Sequence, residues 1–472
     1  MVRHVVIVGG GLAGLACAVA LRDAGLRVTL IERERSLGGR ARSWVDAASG
    51  DLIDLGPHVL HSEYANMLAF LERLGTRELI AWQPEKLITL VARDRVVELK
   101  HRPLTPPFGL LPDLIAGCGL SLRDLLSNNR VTWRAMRFGE ADVPELDRCS
   151  ALEYLRASGV SQAMIDWFWS FVALSVMNVP LERCSAAALL RVHSQLIGRR
   201  RLHFGFPAVG LAELFAPRAA RIIGSVILGT EAVAIEAGAV VLHDGARIAA
   251  DHVVAAVPPQ DLDKLGYEAP RVEPSPYIST YLWFDRKLTH ERFWALLGAE
   301  KRLNTDFYDL SNFRRGWSGR SSVIASNIIH SHRARTMSNE DIIAATQREI
   351  AQFVPEAARA RVVRAVVNRI AMVIPCPLPG AETERPASFL SASMSIAGDW
   401  TRTGLPCSME SAVRSGWLAA EQVLRAAGQP EKLALPVRPN DGFAGLVQRF
   451  RPRAARGRAW QTPPTARPRP HP

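Results

Sequence analysis

Three glycines and two acids frame the chemistry open to this chain. Gly9, Gly11 and Gly14 form a GxGxxG pattern between a β-branched run, residues 5–8, and an apolar stretch with helical spacing. In such a turn one glycine makes the bend, one lets backbone approach a pyrophosphate, and one lets helix and strand pack closely. Leu12 and Ala13 open the helix, whose first amides favour phosphate. Glu32 closes the next apolar run, residues 28–31, where a carboxylate can accept from ribose hydroxyls. The strand before and the helix after separate this pattern from a mere glycine turn. The second acid, Asp399, follows another short apolar run in "IAGDWTRTGLPCSMESAVRSG", residues 396–416. It stands where open α/β sheets bind ligands, at the carboxyl end of a strand. Ser408 is a plausible N-cap. Met409, Ala412, Val413, Gly416 and Ala420 then repeat at helical spacing.

NAD and FAD share the first pattern, and "ERERSLGGRARS", residues 32–43, separates them. Here Arg33, Gly38, Gly39, Arg40 and Arg42 keep the chain at the site. The glycines let backbone come close, and an arginine can neutralise pyrophosphate. A basic surface loop is the bland alternative. This stretch resembles the flavin amine oxidase and phytoene desaturase superfamily, in which it wraps FAD. The resemblance implies a contact of Val233 near the adenine. It places Gly398 and Asp399 at the ribityl chain, and Ser408 and Met409 at the flavin. It brings Gly56, Pro57 and His58 past the flavin as well. His58 is read either as a catalytic group or as a structural histidine beside a turn. The helix after Ser408 could stabilise negative charge on a reduced flavin through its N-terminal amides.

These residues need elements to hold them. The 472 residues, 48% of them hydrophobic, suffice for two or three domains and exclude a disordered chain. The formal net charge is +12, of which seven charges come from arginines after residue 442, so nucleic acid is not indicated. Six cysteines lie far apart without CxxC spacing or a His cluster. Reduced thiols of a cytoplasmic protein, with no metal site, are the expectation. The uncharged run at residues 5–21 could pass for a signal peptide, but its glycines fit a folded unit better.

The expected fold is α/β, with a Rossmann-like FAD-binding domain of the GR2, glutathione-reductase-like type built from discontinuous segments. An inserted α+β domain makes the substrate side. The expected boundaries are 1–90, 205–265 and 389–428 for the FAD domain, 91–204 for a helical insertion facing substrate or membrane, and 266–388 for a substrate domain with a sheet. A Pro- and Arg-rich tail, 429–472, is expected to be disordered. Residues 164–180, "MIDWFWSFVALSVMNVP", read as one aromatic helix suited to core packing or to a hydrocarbon. Residues 103–126 are apolar and proline-broken. They could line an access channel, touch a membrane surface or pack in the core. Phe443, Leu446, Val447 and Phe450 share one helical face near the tail.

"DLGPHVLHSEY", "LWFDRKL" and "AGDWTRTGLPCSMESAVRSG" look most like the branch of carotene (phytoene, ζ-carotene) desaturases and hydroxysqualene dehydroxylases. That likeness implies non-covalent FAD, an apolar isoprenoid substrate and hydride transfer between an allylic carbon and flavin N5. It also implies a quinone or oxygen as electron acceptor and a peripheral place on the inner face of the membrane. No catalytic acid or base is assigned. A flavin amine oxidase acting on a small amine and a non-enzymatic prenyl-binding escort of the same fold stay as alternatives.

Overall fold

In the computed structural model, residues 2–450 are described except 93–94, 101, 118 and 299–301. The run at residues 5–8 becomes the central strand His4–Val8. It pairs in parallel with Arg27–Glu32 on one side and His252–Ala255 on the other. Val226–Leu228 extends the sheet beyond the first neighbour, and Met394–Ile396 and then Phe389–Ser391 extend it beyond the second. Both faces are covered, which is why its strands read as unbroken apolar runs rather than alternating ones. Helices Leu12–Asp23 and Met409–Ala426 pack together on one face. Small residues permit that approach: a Cβ on Gly416 would lie 2.2 Å from the Ala13 carbonyl oxygen. The antiparallel strands Ala232–Glu236, Ala239–Leu242 and Arg247–Ala249 supply residues to the core on the other face.

A second sheet has seven strands. Its order is Val362–Pro375, Pro274–Phe284, Val323–Ile329, Asp306–Asp309, Phe293–Leu296, Ile88–Ala92 and Arg95–Leu99. The last two strands correct the expected boundaries, since residues 88–99 belong to this sheet and not to the FAD domain or the helical insertion. Their side chains, Leu90 and Val97 among them, join the same core as Tyr281 and Phe293.

Residues 164–180 do not form one regular α-helix. Two π-helical turns, Ile165–Trp169 and Ala173–Met177, interrupt it, and Asn178 ends it in a left-handed conformation. Such turns reset which side chains share a face. Trp169 is fully buried and donates from Nε1 to Asn128 Oδ1 at 3.0 Å, while Phe171 and Val176 face a cavity. The tail is corrected as well. Residues 429–450 are held to the body, and Gly442–Arg449 is a helix whose Ala444 and Val447 pack against Met136. Leu433 N and Ala434 N each donate to Glu421 Oε1 at 2.9 Å. Residues 451–472 lie outside the described residues.

Candidate functional site

A cavity of about 900 Å³ runs from the glycine turn of the first sheet to the inner face of the second. Gly9, Gly11, Leu12 and Ala13 form its first wall. Gly9 has φ +108°, and a Cβ there would lie 2.4 Å from the Ala256 carbonyl oxygen. Gly14 sits behind the wall, where a Cβ would meet the Gly9 carbonyl oxygen at 2.0 Å. Helix Leu12–Asp23 starts here with no side-chain cap and no acid in its first turn, so its N-terminus is open to an anion.

Glu32 ends its strand against this turn, buried, with Gly10 N donating to Oε2 at 2.6 Å and Glu34 N donating to Oε1 at 2.9 Å. Arg33 lies at the rim and pairs with Asp261 at 3.0 Å. Thr230, Glu231 and Ala232 form the adjoining wall, whereas Val233 lies outside it, half exposed. The strand bearing Val233 turns that side chain outward, and its neighbour Ala232 takes the inward position. That corrects the expected Val233 contact.

Two candidate residues far apart in sequence meet at the middle of the cavity. Arg40 Nη2 donates to Asp399 Oδ1 at 2.6 Å, and Arg40 Nη1 donates to the Val373 carbonyl at 2.6 Å. Gly39 and Arg40 both line the wall. Gly398 and Asp399 follow the strand Met394–Ile396, with Gly398 N donating to Ser415 Oγ at 2.9 Å. Ser408 caps the next helix by accepting from Ser411 N at 3.2 Å, and Met409 borders the cavity. The helix N-terminus thus faces the site, as an electron-rich ring edge would require.

Pro57 and His58 line the wall between the two sheets, and Gly56 stands one layer back against Tyr277. His58 Nδ1 lies 2.7 Å from the Gly56 carbonyl, which can only accept, so the proton sits on Nδ1. Burial lowers the His58 pKa, keeping the ring neutral within its own turn. Burial also pushes the Cys407 thiol up to about 12, so it stays protonated beside the flavin-facing helix.

Several positioning residues were invisible to the sequence reading. Glu410 accepts from Asn66 N at 2.9 Å, from Asn66 Nδ2 at 2.7 Å and from Met67 N at 2.7 Å. It thereby caps helix Ala65–Leu74 from the first turn of the flavin-facing helix. Arg385 donates to the carbonyls of Asp399 at 3.3 Å and Leu405 at 3.0 Å. It pairs with buried Glu382, which also holds Arg191 from the helix Ala186–Ile197. This chain of charges fixes the loop that carries Asp399. The one available signal was an acid inside an apolar helical face, Glu410 in "SMESAV".

The residues present fit a flavin dinucleotide: a glycine cradle that side chains would fill, a carboxylate ending the second strand, an arginine–aspartate pair at mid-cavity and a helix N-terminus at the far end. Sequence comparison agrees. The family described as "Flavin containing amine oxidoreductase" matches residues 12–424. The 15-cis-phytoene desaturase of Synechococcus elongatus is 26% identical, covering 90% of this chain and 98% of its own. A probable zeta-carotene desaturase of the same organism is 26% identical, covering 90% of this chain and 99% of its own. Among solved structures, putrescine oxidase bound to putrescine superposes with a TM-score of 0.70 at 17% identity, covering 90% of this chain and 99% of its own. Reduced UDP-galactopyranose mutase gives 0.65 at 17% identity, covering 96% and 98%. The structural matches speak for the fold alone.

Proposed function

The chain belongs to the flavin-containing amine oxidoreductase family and is an FAD-dependent oxidoreductase, and from that premise we propose that it acts on a long apolar isoprenoid of carotene type. Hydride would move between an allylic carbon and flavin N5. The observation that carries the reading is the far half of the cavity. Beyond the cofactor wall it is lined by Leu87, Leu90, Leu99, Leu110, Phe171 and Phe293. Glu63 on that side is offset by Arg199 at 3.3 Å and Arg438 at 3.1 Å. Each buried CH₂ of a hydrocarbon gains roughly 0.8 kcal/mol, so such a wall can hold a polyprene without polar anchors. An ammonium would lose hydration along it. The names of the two desaturases reported above support the same substrate class.

Bound FAD supplies a two-electron hydride acceptor. The chain does the rest. Arg40 and Asp399 hold polar groups at mid-cavity, the helix after Ser408 offers its amides to developing negative charge, and the apolar wall excludes water and aligns the substrate.

The route to the cavity supports a peripheral membrane site. The turn Phe108–Leu110 spans from the surface, where Phe108 is exposed, to the cavity wall at Leu110. Leu104 before it, Ile115 on the helix that follows it, and Phe443 and Leu446 on the helix Gly442–Arg449 are also exposed, and Phe108 stacks on Phe443 at 6.5 Å. An apolar patch at a hydrocarbon's doorway suits an anionic bilayer surface. No helix among the described residues is long and apolar enough to cross a membrane. A bilayer quinone, or oxygen, would take the electrons.

The test is anaerobic. FAD-loaded protein is mixed with phytoene, a squalene-type alcohol or putrescine, the first two in liposomes, and the flavin band is followed. Bleaching by phytoene, or reoxidation of chemically reduced flavin by the squalene-type alcohol, and no bleaching by the amine, is expected. Bleaching by putrescine with no response to isoprenoids would move the protein to the amine oxidases.

A further inference from the structure

The cavity wall carries an acid that the cofactor site does not use. Asp306 opens the strand Asp306–Asp309 and stands opposite Asn327 in the sheet register. Side chains alternate along a strand. Phe307 therefore faces away, stacked on Trp294 at 5.3 Å, while Asp306 and Tyr308 face the cavity. Tyr277 Oη donates to Asn327 Oδ1, which leaves the amide nitrogen of Asn327 to donate to Asp306. Thr305 Oγ1 reaches Asp306 Oδ2 at 3.5 Å. Oδ1 has no hydrogen-bond partner, although Asp306 is only 5% exposed. No salt bridge among the described residues offsets it. Buried polar atoms are nearly always paired, so an enclosed carboxylate oxygen without a partner, on a residue of the cavity wall, asks for a proton.

The place matters too. Tyr277 lies so close to Gly56 that a Cβ there would come 2.4 Å from the phenol oxygen. The Tyr277–Asn327–Asp306 relay therefore sits against the turn whose Pro57 and His58 border the cofactor wall. That is the junction of the cofactor and substrate halves.

We propose that Asp306 is the proton acceptor of the reaction, taking the proton that the substrate loses once its allylic carbon has given up hydride. The proposal rests on the isoprenoid reading above. The step balances without a further reagent. The C–H bond beside the electron-deficient allyl position breaks, its electron pair becomes the new C=C bond, and the proton ends on the Asp306 carboxylate. The two electrons removed as hydride pass through FAD to the quinone or oxygen, and Asp306 returns its proton to solvent.

Burial raises Asp306 to about 7, so both of its forms are accessible near neutral pH, as a general base needs. The groups facing it would not mimic its titration. Burial holds the phenols of Tyr277, Tyr281 and Tyr308 well above the ordinary range. His58 is held neutral.

The test uses FAD-loaded wild type, Asp306→Asn and Asp306→Glu. In pH-difference infrared spectra, wild type should lose a protonated-carboxyl C=O band with a midpoint near pH 7, and Asp306→Asn should lack it. Flavin reduction by the isoprenoid should rise through that midpoint in wild type. In Asp306→Asn it should be flat and about 100-fold slower or worse at about pH 8, within the usual range for losing a general base. Asp306→Glu should regain part of the rate and the pH limb. Asp306→Asn reacting at the wild-type rate with its limb intact, or the absence of a titrating carboxyl in wild type, overturns the assignment and leaves the substrate reading standing. Wild-type flavin that no isoprenoid reduces overturns both.

Discussion

Asp306→Asn should make the protein more stable, and only above mildly acidic pH. The folded state holds the Asp306 carboxyl at about 7 by burial, against an ordinary value of 3.8. The sign follows from that direction. Below about pH 4 both folded and unfolded chains carry the proton, and the residue contributes no pH dependence. Between that pH and about 7 the unfolded chain releases a proton that the folded chain keeps, so stability falls as pH rises. Above about 7 both states are ionised and the cost is constant. At 1.36 kcal/mol per pH unit the full span is about 4 kcal/mol, and relaxation of the cavity would leave about 2–4 kcal/mol in practice. Asparagine keeps the shape and can still accept from Asn327, but it never ionises. Urea unfolding midpoints of both proteins at about pH 4.5, 6 and 8 measure this. Asp306→Asn should lead by the full amount at about pH 8 and by little at about pH 4.5. A gap that does not change with pH, or a variant weaker than wild type at about pH 8, refutes the reasoning. A residue that costs stability and borders a cavity is what a site retains for chemistry.

Glu410→Ala strands three donors, two of them helix N-terminal amides, and should lower stability by about 3–5 kcal/mol at roughly 1–3 each with partial rescue by water; a melting temperature equal to wild type would count against the cap. Asp399→Asn removes the charge facing Arg40 and should weaken FAD binding by about one to two decades, from roughly 1.5–3 kcal/mol for a charge-assisted hydrogen bond. Full flavin occupancy after dialysis would show the pair to be structural only. Acid precipitation should release all the flavin, because the Cys407 thiol stays neutral and unreactive. Flavin remaining on the denatured chain contradicts this. Flotation on anionic liposomes should fall when Phe443 and Leu446 are changed to Ser and when salt is raised, and no binding at low salt argues against the bilayer.

Much of the cofactor half was legible because its signals are local. The strand, glycine turn, helix and strand of residues 4–32 are set by periodicity and by positions only glycine can fill. The helix after Ser408 was legible for the same reason, through its cap and apolar spacing. Partnership was not legible. Arg40 and Asp399 lie 359 positions apart, and nothing in either segment names the other. The second sheet shows the same limit. In sequence, residues 88–99 divide between the FAD domain and the helical insertion, and only the pairing of Ile88–Ala92 with Phe293–Leu296 assigns them to the second sheet. Asp306 was hidden more deeply, since its meaning depends on which face of its strand meets the cavity.

The error about residues 429–450 has a physical cause that can be turned into a rule. Prolines and sparse apolar residues made the segment look unable to fold, because composition measures burial of side chains. What holds its first part, residues 433–439, is backbone. Leu433 N and Ala434 N donate to Glu421, Leu435 N donates to Asn66 Oδ1, and Arg199 holds the Arg438 and Pro439 carbonyls. Glu421 stands eleven residues after Glu410 on one helix, about three turns and so on nearly the same face. Both are buried; Glu410 accepts from amides more than 300 residues away, and Glu421 from amides 12 and 13 residues on, with Lys432 at 3.5 Å. A carboxylate on the apolar face of a helix costs too much to sit there unpaired. Each of the two has an arginine four residues on, but Arg414 donates to the Thr403 carbonyl and Arg425 to Gln422, so backbone amides at a helix start or in an extended strap become the donors at hand. Acids of this kind mark where a chain is tied back onto its core, including stretches whose composition alone argues for disorder.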